Sequence, residues 1–490
     1  MKKVFEVVTL VSLFTLGSAF AQSDSVHVKE DDESGKKENQ VIDTTQANLK
    51  EDIENLQGKF AGLEESYLDT KSNVDKLKKI KISGYIQAQM RVATDTTGLL
   101  NTSYGNNYDI GEFQGGKLPA AAKTVFQLRR ARVKVAYEND LSQFAIQLDC
   151  LPFTTGSAAS SVTQDTAKKV TTKSSAFLSG GGISLKDAYF RFQDPWLKSI
   201  ALKAGIFDRP FGYEISYSSS TRESPERSRI FQTLFPGERD MGITLEYAAS
   251  DNLPDAARLF NFKGGWFAGN GINIEFDDMR DFIGRAGFSI PFNDINMSID
   301  GGVSAYIGSV LNRTDSLYTY DDGEKIGKAG HKRDKEKRDY VGFDAQLYYG
   351  NIPVLGGLTV RGEFINGVQP GTSSTSVSQK SDQAVSSAIY SRKVKGYYLM
   401  GVLNIDPVKC QLVGKYDVLD PNKDLSGAQV SSTADMKVST IGTGLVYHWN
   451  ENIKLMAYYD MVKNEKISSK SIYAKDVNDN VFTLRLQYKF

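Results

Sequence analysis

The stretch KISGYIQAQMRV, residues 81–92, alternates apolar and polar side chains along its length. Ile82 and Ile86 fall on one face, and Gln87 and Arg91 fall on the other. A period of two is that of a β-strand with two unlike faces. Such a strand is either half-buried in a soluble sheet or part of a membrane barrel whose polar side lines a lumen.

Fifteen further segments with this alternation follow before residue 490. Tight turns between segments, such as ENDL (138–141) and WNEN (449–452), alternate strictly with long loops. Outer-membrane barrels arrange their connections in this way and have an even number of strands. We therefore predict an all-β fold over residues 81–490, a 16-stranded antiparallel transmembrane β-barrel preceded by an N-terminal coiled-coil helix. The strands are expected near 81–93, 124–139, 142–151, 183–194, 198–209, 240–249, 257–268, 280–290, 295–308, 339–350, 357–367, 395–406, 408–418, 437–449, 452–463 and 480–490.

The closing stretch VFTLRLQYKF, residues 481–490, indicates which face of the barrel meets lipid. Its apolar set includes Leu486, and its polar set includes Arg485. An arginine on the lipid face near the midplane would cost about 2–4 kcal/mol, so the basic face should line the lumen. Because hydrocarbon does not tolerate an open strand edge, this segment should pair with the strand at 81–93.

Charge and composition exclude several classes of function. Lys+Arg and Asp+Glu balance at 59 each, so no overall field favours a nucleic-acid partner. The two cysteines, Cys150 and Cys410, lack metal-ligand spacing. The three histidines form no recognisable catalytic triad with their neighbours. We therefore expect no enzyme activity, no catalytic residues, no metal and no cofactor.

The N-terminal region should lie outside the barrel. Residues 1–21 have the layout of a secretory signal peptide, and 22–46 read as a disordered polar tail. Residues 47–80 are expected to form a periplasmic coiled-coil helix that assembles a homotrimer; a single amphipathic helix lying on the protein is the alternative. The heptad seam is Leu49, Ile53, Leu56, Phe60, Leu63, Tyr67, Thr70, Val74 and Leu77.

Several motifs occur in the same order as in a known family. KAGIFDRPFGYE (203–214) and ERDMGITLEY (238–247) resemble the G-x-F-K-x-P-F-G-x-E and R-D-x-G-V signatures of the phosphate-selective, O/P-type porins. LRRARVKV, YVGFDAQLYYG, YDVLDPN and LRLQYKF are similar to weaker landmarks of that family. The similarity covers about residues 81–490, and it departs from the family pattern at Asp208, where the family has lysine.

This resemblance implies a trimeric outer-membrane barrel that conducts small anions such as phosphate past a ladder of basic side chains. It also implies that the terminal aromatic residue, Phe490, is an assembly signal read by the barrel-assembly machinery. The expected partners are therefore outer-membrane lipid, that machinery, two further copies of the chain and small anionic solutes. The expected location is the cell outer membrane.

Alternation assigns a set of basic side chains to the lumen. More basic than acidic residues fall on the inward face, as an anion-favouring lining requires. The alternative is that these residues pair with inward carboxylates and serve only as scaffold. Adjacent Arg129 and Arg130 also predict a slip in the alternation. The anion-guiding candidates are Arg91, Arg130, Arg132, Lys134, Arg191, Lys203, Arg209, Arg285, Arg361 and Arg485.

The third long loop, YSSSTRESPERSRIFQTLFPGERD, carries arginines among aromatic residues. We predict that it folds inward and narrows the pore, with Arg222, Arg227, Arg229 and Arg239 at the mouth; a solvated surface loop is the alternative. The other class of function left open is a structural or adhesive barrel, held by its periplasmic coiled coil and presenting long Ser/Thr-rich loops near 150–182 and 368–394.

Overall fold

The computed structural model describes residues 34–93, 111–116, 118, 123–151, 182–273, 278–378, 387–467, 472–477 and 479–490. The expected signal peptide (1–21), residues 22–33 of the expected tail and most of the Ser/Thr-rich loop near 150–182 lie outside these ranges. The chain divides into two compact units, Met1–Leu77 and Lys78–Phe490.

The described part of the first unit consists of helix α1, Ser34–Lys78. The helix begins at Ser34 rather than near residue 47, so residues 34–46 are helical and not a disordered tail. Gly35 is the only helix breaker in that stretch, which is otherwise rich in good helix formers such as Lys36 and Glu38. The apolar seam side chains, from Leu49 to Leu77, are all exposed in the single chain. No helix in the described part of the chain is long and apolar enough to cross a membrane.

The second unit is a closed antiparallel β-barrel of sixteen strands. All sixteen predicted segments are strands, and the alternation of tight turns and long loops is as predicted. The barrel strands are β1 Ile80–Ala93, β2 Thr124–Glu138, β3 Ser142–Leu151, β4 Gly182–Gln193, β5 Ile200–Asp208, β6 Arg239–Ala248, β7 Phe260–Phe267, β8 Asp281–Phe292, β9 Met297–Leu311, β12 Lys335–Ile352, β13 Gly356–Gly371, β14 Ile389–Ile405, β15 Cys410–Asp420, β16 Val438–His448, β17 Ile453–Asn464 and β18 Val481–Lys489.

The first and last strands close the barrel. β1 and β18 are antiparallel, with Gln89 opposite Arg485. Phe490 and Gly84 exchange two backbone hydrogen bonds of 3.0 Å. Leu486 is exposed on the outer face, whereas Arg485 is buried inside, as the face assignment predicts. We call the two rims of the barrel the short-turn end, which holds Phe490, and the long-loop end.

Strand β2 contains the predicted slip. Gln87 pairs with Arg130 and the next residue, Ala88, pairs with Leu128, so Arg129 is the extra residue of a β-bulge. A bulge interrupts the alternation of faces. Arg129 and Arg130 can therefore both point into the lumen.

The long loop between β9 and β12 contains a hairpin that the period analysis missed. Strands β10, Leu317–Asp321, and β11, Glu324–Lys328, pair with each other across Asp322 and Gly323. Both turn residues have positive φ, 45° and 82°. An Asp-Gly pair between short strands is a typical hairpin signal, so the sequence contained the information.

Residues 209–238, between β5 and β6, form the inward loop. Helix α2, Arg229–Leu234, lies within it and packs against the inner wall. Phe231 and Phe235 stack 6.0 Å apart, and Phe235 also meets the Tyr306 and Tyr340 rings at 5.9 and 5.7 Å. The core of the barrel is therefore an apolar cluster shared by the inward loop and the wall. A second short helix, α3, Asp255–Arg258, lies in the turn between β6 and β7.

Candidate functional site: the inward loop and the lumen wall

The inward loop enters the lumen through a backbone position that requires glycine. Gly212 has φ +62°, and a Cβ there would lie 2.2 Å from a carboxylate oxygen of Glu363. The Gly212 N–H donates to Ser304 Oγ at 2.9 Å. Only a residue without a side chain permits this close approach to the wall.

Glu363 on β13 anchors the chain just after this entry point. Its carboxylate accepts hydrogen bonds from the backbone N–H groups of Tyr213 at 2.8 Å and Glu214 at 2.7 Å. The hydroxyl of Tyr398 donates to the same carboxylate at 2.8 Å. A buried polar group needs such partners, so this wall residue fixes the first turn of the loop.

Glu226 of the inward loop is bound by three arginines of the barrel wall. Its carboxylate lies 2.8 Å from Arg129 Nε, 2.6 Å from Arg130 Nη2 and 3.0 Å from Arg485 Nη2. Burial alone would raise the pKa of Glu226, but the neighbouring guanidinium groups hold that pKa well below its usual range. The β-bulge in β2 makes this arrangement possible, because it directs two adjacent arginines to one carboxylate.

Two more carboxylates tie the loop to the opposite wall. Glu223 forms a bidentate pair with Arg361 on β13, with N to O distances of 2.8 and 3.1 Å. Glu214 accepts from Lys415 on β15 at 2.9 Å. Since β1, β2 and β18 hold the other side of the loop, the inward loop crosses the lumen and does not lie along one wall.

Hydrogen bonds to the serine-rich part of the loop complete its attachment. Arg132 Nη1 donates to Ser219 Oγ at 3.0 Å, and Gln487 donates to the Ser220 carbonyl at 2.8 Å. Lys454 on β17 donates to the carbonyls of Ser220 and Arg222 at 2.9 and 3.0 Å. These contacts agree with the predicted inward fold of the loop, and they disagree with the alternative of a solvated surface loop.

Most of the predicted anion-guiding side chains are paired with carboxylates. Arg130, Arg361 and Arg485 bind carboxylates of the inward loop, as described above. Five others bind carboxylates on the wall: Arg132 with Asp149 at 2.8 Å, Arg191 with Glu246 at 3.0 Å, Lys203 with Asp208 at 3.8 Å, Arg209 with Asp240 at 3.1 Å and Arg285 with Asp344 at 2.6 Å. Each of these side chains therefore has a carboxylate partner, as in the scaffold alternative, although Arg130 and Arg485 share the single charge of Glu226.

The two remaining predicted residues have no carboxylate partner in the described part of the chain. Arg91 is buried and donates to the carbonyls of Gly111 at 3.1 Å and Gly116 at 2.7 Å. Lys134 is half-buried and forms no ion pair there. Lys134 is therefore the one member of the predicted set whose charge is both accessible and unbalanced.

The four loop arginines are not gathered at the mouth. Arg222 and Arg227 are buried inside the inward loop, and Arg227 and Arg239 share Glu238 as a partner. Arg229 lies with its guanidinium carbon 4.2 Å from the centre of the Phe113 ring. Arg239 also binds Asp187 on β4, and Arg222 donates to the Tyr217 carbonyl within the loop. Of the four, Arg229 lines a cavity toward the long-loop end.

Two cavities lie between the inward loop and the wall. The β1–β4 cavity, of about 320 Å³, has Lys489 at the short-turn end of its lining and Asp208 and Arg239 at strand ends on the long-loop side. The β5–β9 cavity, of about 210 Å³, is lined by Lys203, Lys263 and other polar residues. Toward the long-loop end, a cavity of about 390 Å³ includes Arg229 and Phe113. We call this third space the mouth cavity.

Sequence reasoning missed the partners that decide the charge of the site. Glu214, Glu223 and Glu226 were not singled out, although the inward loop contains as many carboxylates as arginines. Lys263 was also missed, even though it alternates with Phe262 on β7 and faces the β5–β9 cavity. Counting acidic residues in the loop and extending the alternation to β7 would have found all four.

Comparison with known proteins gives structural neighbours only. No protein-family model matches the sequence, and no curated protein matches it. The outer membrane channel DcaP of Acinetobacter baumannii is 11% identical over 84% of this chain and 97% of its own, with a TM-score of 0.49. An anion-selective porin from Comamonas acidovorans is 12% identical over 84% of this chain and 99% of its own, with a TM-score of 0.46. Any solute of the present protein must be argued from its own side chains.

Proposed function

We propose that this protein is an outer-membrane porin, a water-filled channel for passive diffusion of small solutes with a preference for anions. Its exposed strand residues, such as Leu484 and Leu486, suit contact with outer-membrane lipid, while the lumen side is polar. The terminal strand pairing of Phe490 suits its proposed role as a signal for the barrel-assembly machinery. We propose no enzyme activity for this site.

The observation that carries the proposal is the extent of the β1–β4 cavity. Its lining includes Ser83 and Lys489 near the short-turn end and Asp208 and Arg239 at strand ends on the long-loop side. Serine hydroxyls of the inward loop line its other side. A polar space that follows the wall past an otherwise well-packed loop is the natural route for a small hydrated solute.

The charges around this cavity favour anions. Its lining holds three carboxylates, and each has a basic partner: Asp187 with Arg239, Asp208 with Lys203, and Glu238 with arginines of the loop region. Lys134 and Lys489 line the same space and form no ion pair in the described part of the chain. Unbalanced positive charge on exchangeable lysines can attract an anion and still release it.

Phosphate is the first anion to test. Arg132 and Arg239 also line the β1–β4 cavity, and their guanidinium groups are suited to phosphate oxygens. The resemblance of residues 203–214 to phosphate-selective porins suggests the same solute, although Asp208 stands where that family has lysine. Single-channel recordings with chloride as the only anion, and then with phosphate as the only anion, compare the conductance of the two anions directly.

Liposome swelling tests whether the barrel conducts at all. Purified protein in liposomes should produce swelling with small uncharged sugars and progressively less with larger ones. Absence of swelling with every solute would exclude the porin role. It would favour a structural or adhesive barrel, for which the dense anchoring of the inward loop is the supporting observation.

Reversal potentials across a bilayer under a KCl gradient test the selectivity. The wild-type protein should prefer chloride, and combined Lys134→Ala and Lys489→Ala substitutions should lower that preference. The control is Lys466→Ala, because Lys466 is exposed near the long-loop end and lies outside the cavity linings. A cation-selective wild type would refute the anion preference.

We also propose that helix α1 assembles a homotrimer through its heptad seam. Leu56 and Leu63 on that seam are 64% and 68% exposed in the single chain, so these apolar side chains are available to pack against the same seam of other copies. Combined Leu56→Glu and Leu63→Glu substitutions should lower the mass of the detergent-solubilised complex measured by sedimentation. A trimer that survives them would assign assembly to the barrel and refute the role of the helix.

A further inference from the structure

Three potential metal ligands meet in the connection that leads into β12. His331 Nδ1 lies 2.9 Å from Asp334 Oδ2 and 3.7 Å from Glu336 Oε1. All three ligand atoms lie within 4.8 Å of one another. They belong to the loop after the β10–β11 hairpin and to the second residue of β12, beyond the part of the strand needed to span a bilayer.

The backbone holds these residues in place. The Asp334 N–H donates to the His331 carbonyl at 3.1 Å, which closes a turn in which Arg333 has φ +74°. The Arg333 N–H donates to the Asn312 carbonyl at 2.7 Å, and the Asn312 N–H donates to the Asp334 carbonyl at 2.9 Å. The cluster is therefore tied to the end of β9 as well as to β12.

Glu336 supplies an independent indication of a missing ligand. The residue is 9% exposed, and its Oε1 is buried without any hydrogen-bond partner in the described part of the chain. That same oxygen faces the His331 ring. A buried carboxylate oxygen without a donor is costly, and a bound cation would satisfy it.

The distances fit a small divalent ion. Ligand atoms at about 2.0–2.2 Å from a tetrahedral zinc ion are separated from one another by roughly 3.3–3.6 Å. The two separations from His331 Nδ1, 2.9 Å to Asp334 and 3.7 Å to Glu336, bracket this range. One imidazole nitrogen with two carboxylates favours zinc and its transition-metal neighbours over calcium or magnesium, which prefer oxygen ligands alone.

We propose that His331, Asp334 and Glu336 form a binding site for one divalent transition-metal ion, with Zn²⁺ as the representative. His331 Nδ1 and one oxygen from each carboxylate bind the ion, the imidazole keeps its proton on Nε2, and water fills the remaining positions. Nothing in this proposal depends on conduction, so it holds whether or not the barrel is a channel.

The metal site was not predicted from the sequence because its ligands are interleaved with basic residues. In HKRDKEKRD, residues 331–339, Lys332 and Lys335 separate the three ligands, and the run reads as a solvated charged loop. In the structure both lysines are exposed, whereas Glu336 points inward. The alternation of β12 thus separates Glu336 from the neighbouring Lys335, which would repel a cation.

Calorimetric titration of the folded, untagged protein in detergent with ZnCl₂ tests the proposal. The wild type should bind one Zn²⁺ per chain at this site, and His331→Ala and Glu336→Gln should each weaken that binding at least about tenfold. Glu336→Gln keeps the shape of the side chain, and the shift of the barrel band on heating checks that each variant is folded.

His448→Ala is the matched control. His448 is the other described histidine, lies on β16 at the short-turn end and accepts or donates one hydrogen bond to Gln411 at 3.0 Å. Its removal should leave the Zn²⁺ affinity unchanged. The proposal is overturned if the wild type does not bind Zn²⁺, or if folded His331→Ala and Glu336→Gln variants bind it as tightly as the wild type.

Discussion

Replacing Glu226 by glutamine should both loosen the inward loop and increase the preference for anions. The substitution keeps the size of the side chain and removes the charge that Arg129, Arg130 and Arg485 share. Glu226 also lines a small cavity of about 20 Å³ together with Arg229, so its charge is close to the space beyond the loop.

The magnitude follows from the burial of the partners. The side chains of Glu226, Arg130 and Arg485 are 7%, 5% and 2% exposed, and removing one partner of a buried ion pair costs about 3–5 kcal/mol. An added positive charge stabilises an anion passing at about 4 Å in water by about 1 kcal/mol and destabilises a cation equally. The total of about 2 kcal/mol corresponds to roughly thirtyfold, and screening over about 4 Å in 0.1 M salt reduces it to about 1.3 kcal/mol, or about tenfold.

The assay is the reversal potential in planar bilayers, with single-channel conductance read from the same traces. Glu226→Gln should raise the ratio of chloride to potassium permeability by about tenfold and also raise the conductance. Glu451→Gln is the control, since Glu451 is exposed in the turn between β16 and β17 and its loss removes the same charge. An unchanged reversal potential in folded Glu226→Gln would show that permeating ions do not pass close to Glu226, and a shift toward potassium would refute the electrostatic reasoning.

Other perturbations test separate parts of the structure. Gly84→Val should reduce barrel insertion, measured by heat-modifiable migration, because a Cβ at Gly84 would lie 2.5 Å from the Arg132 carbonyl oxygen and 2.6 Å from the Phe490 ring. Normal insertion would mean that the closing strands tolerate this crowding. Arg361→Ala should raise the conductance severalfold by freeing Glu223, whose bidentate pair ties the loop to β13; an unchanged conductance would mean that the other anchors suffice. Hydrogen bonds from backbone N–H groups, first that of Ile200, hold the pKa of Asp194 at about 2. The stability that the ionised Asp194 contributes should therefore be complete above its unfolded-state pKa of about 4 and be lost as the pH falls through about 2. An NMR titration that finds an ordinary pKa for Asp194 would contradict this.

Local periodicity was enough to predict the barrel. Each barrel strand has to form backbone hydrogen bonds with two neighbouring strands and place its apolar side chains outside. Every strand segment therefore shows the alternation of apolar and polar residues in its own sequence. The pairing of Gln89 with Arg485 then follows from closure. Even the bulge in β2 was visible, because two adjacent arginines cannot both obey a period of two.

The charge of the lumen could not be predicted in the same way, because it depends on contacts between residues distant in the sequence. Arg485 and Glu226 are 259 positions apart, and no local pattern indicates that they meet. Alternation identified Arg485 as inward correctly, yet an inward arginine guides anions only if no carboxylate neutralises it. The inward loop supplies the single carboxylate of Glu226 to Arg129, Arg130 and Arg485. Burial also keeps Arg130 and Arg485 away from passing solutes. Selectivity should therefore depend on the lysines that the loop leaves unpaired, Lys134 and Lys489, rather than on the arginine ladder.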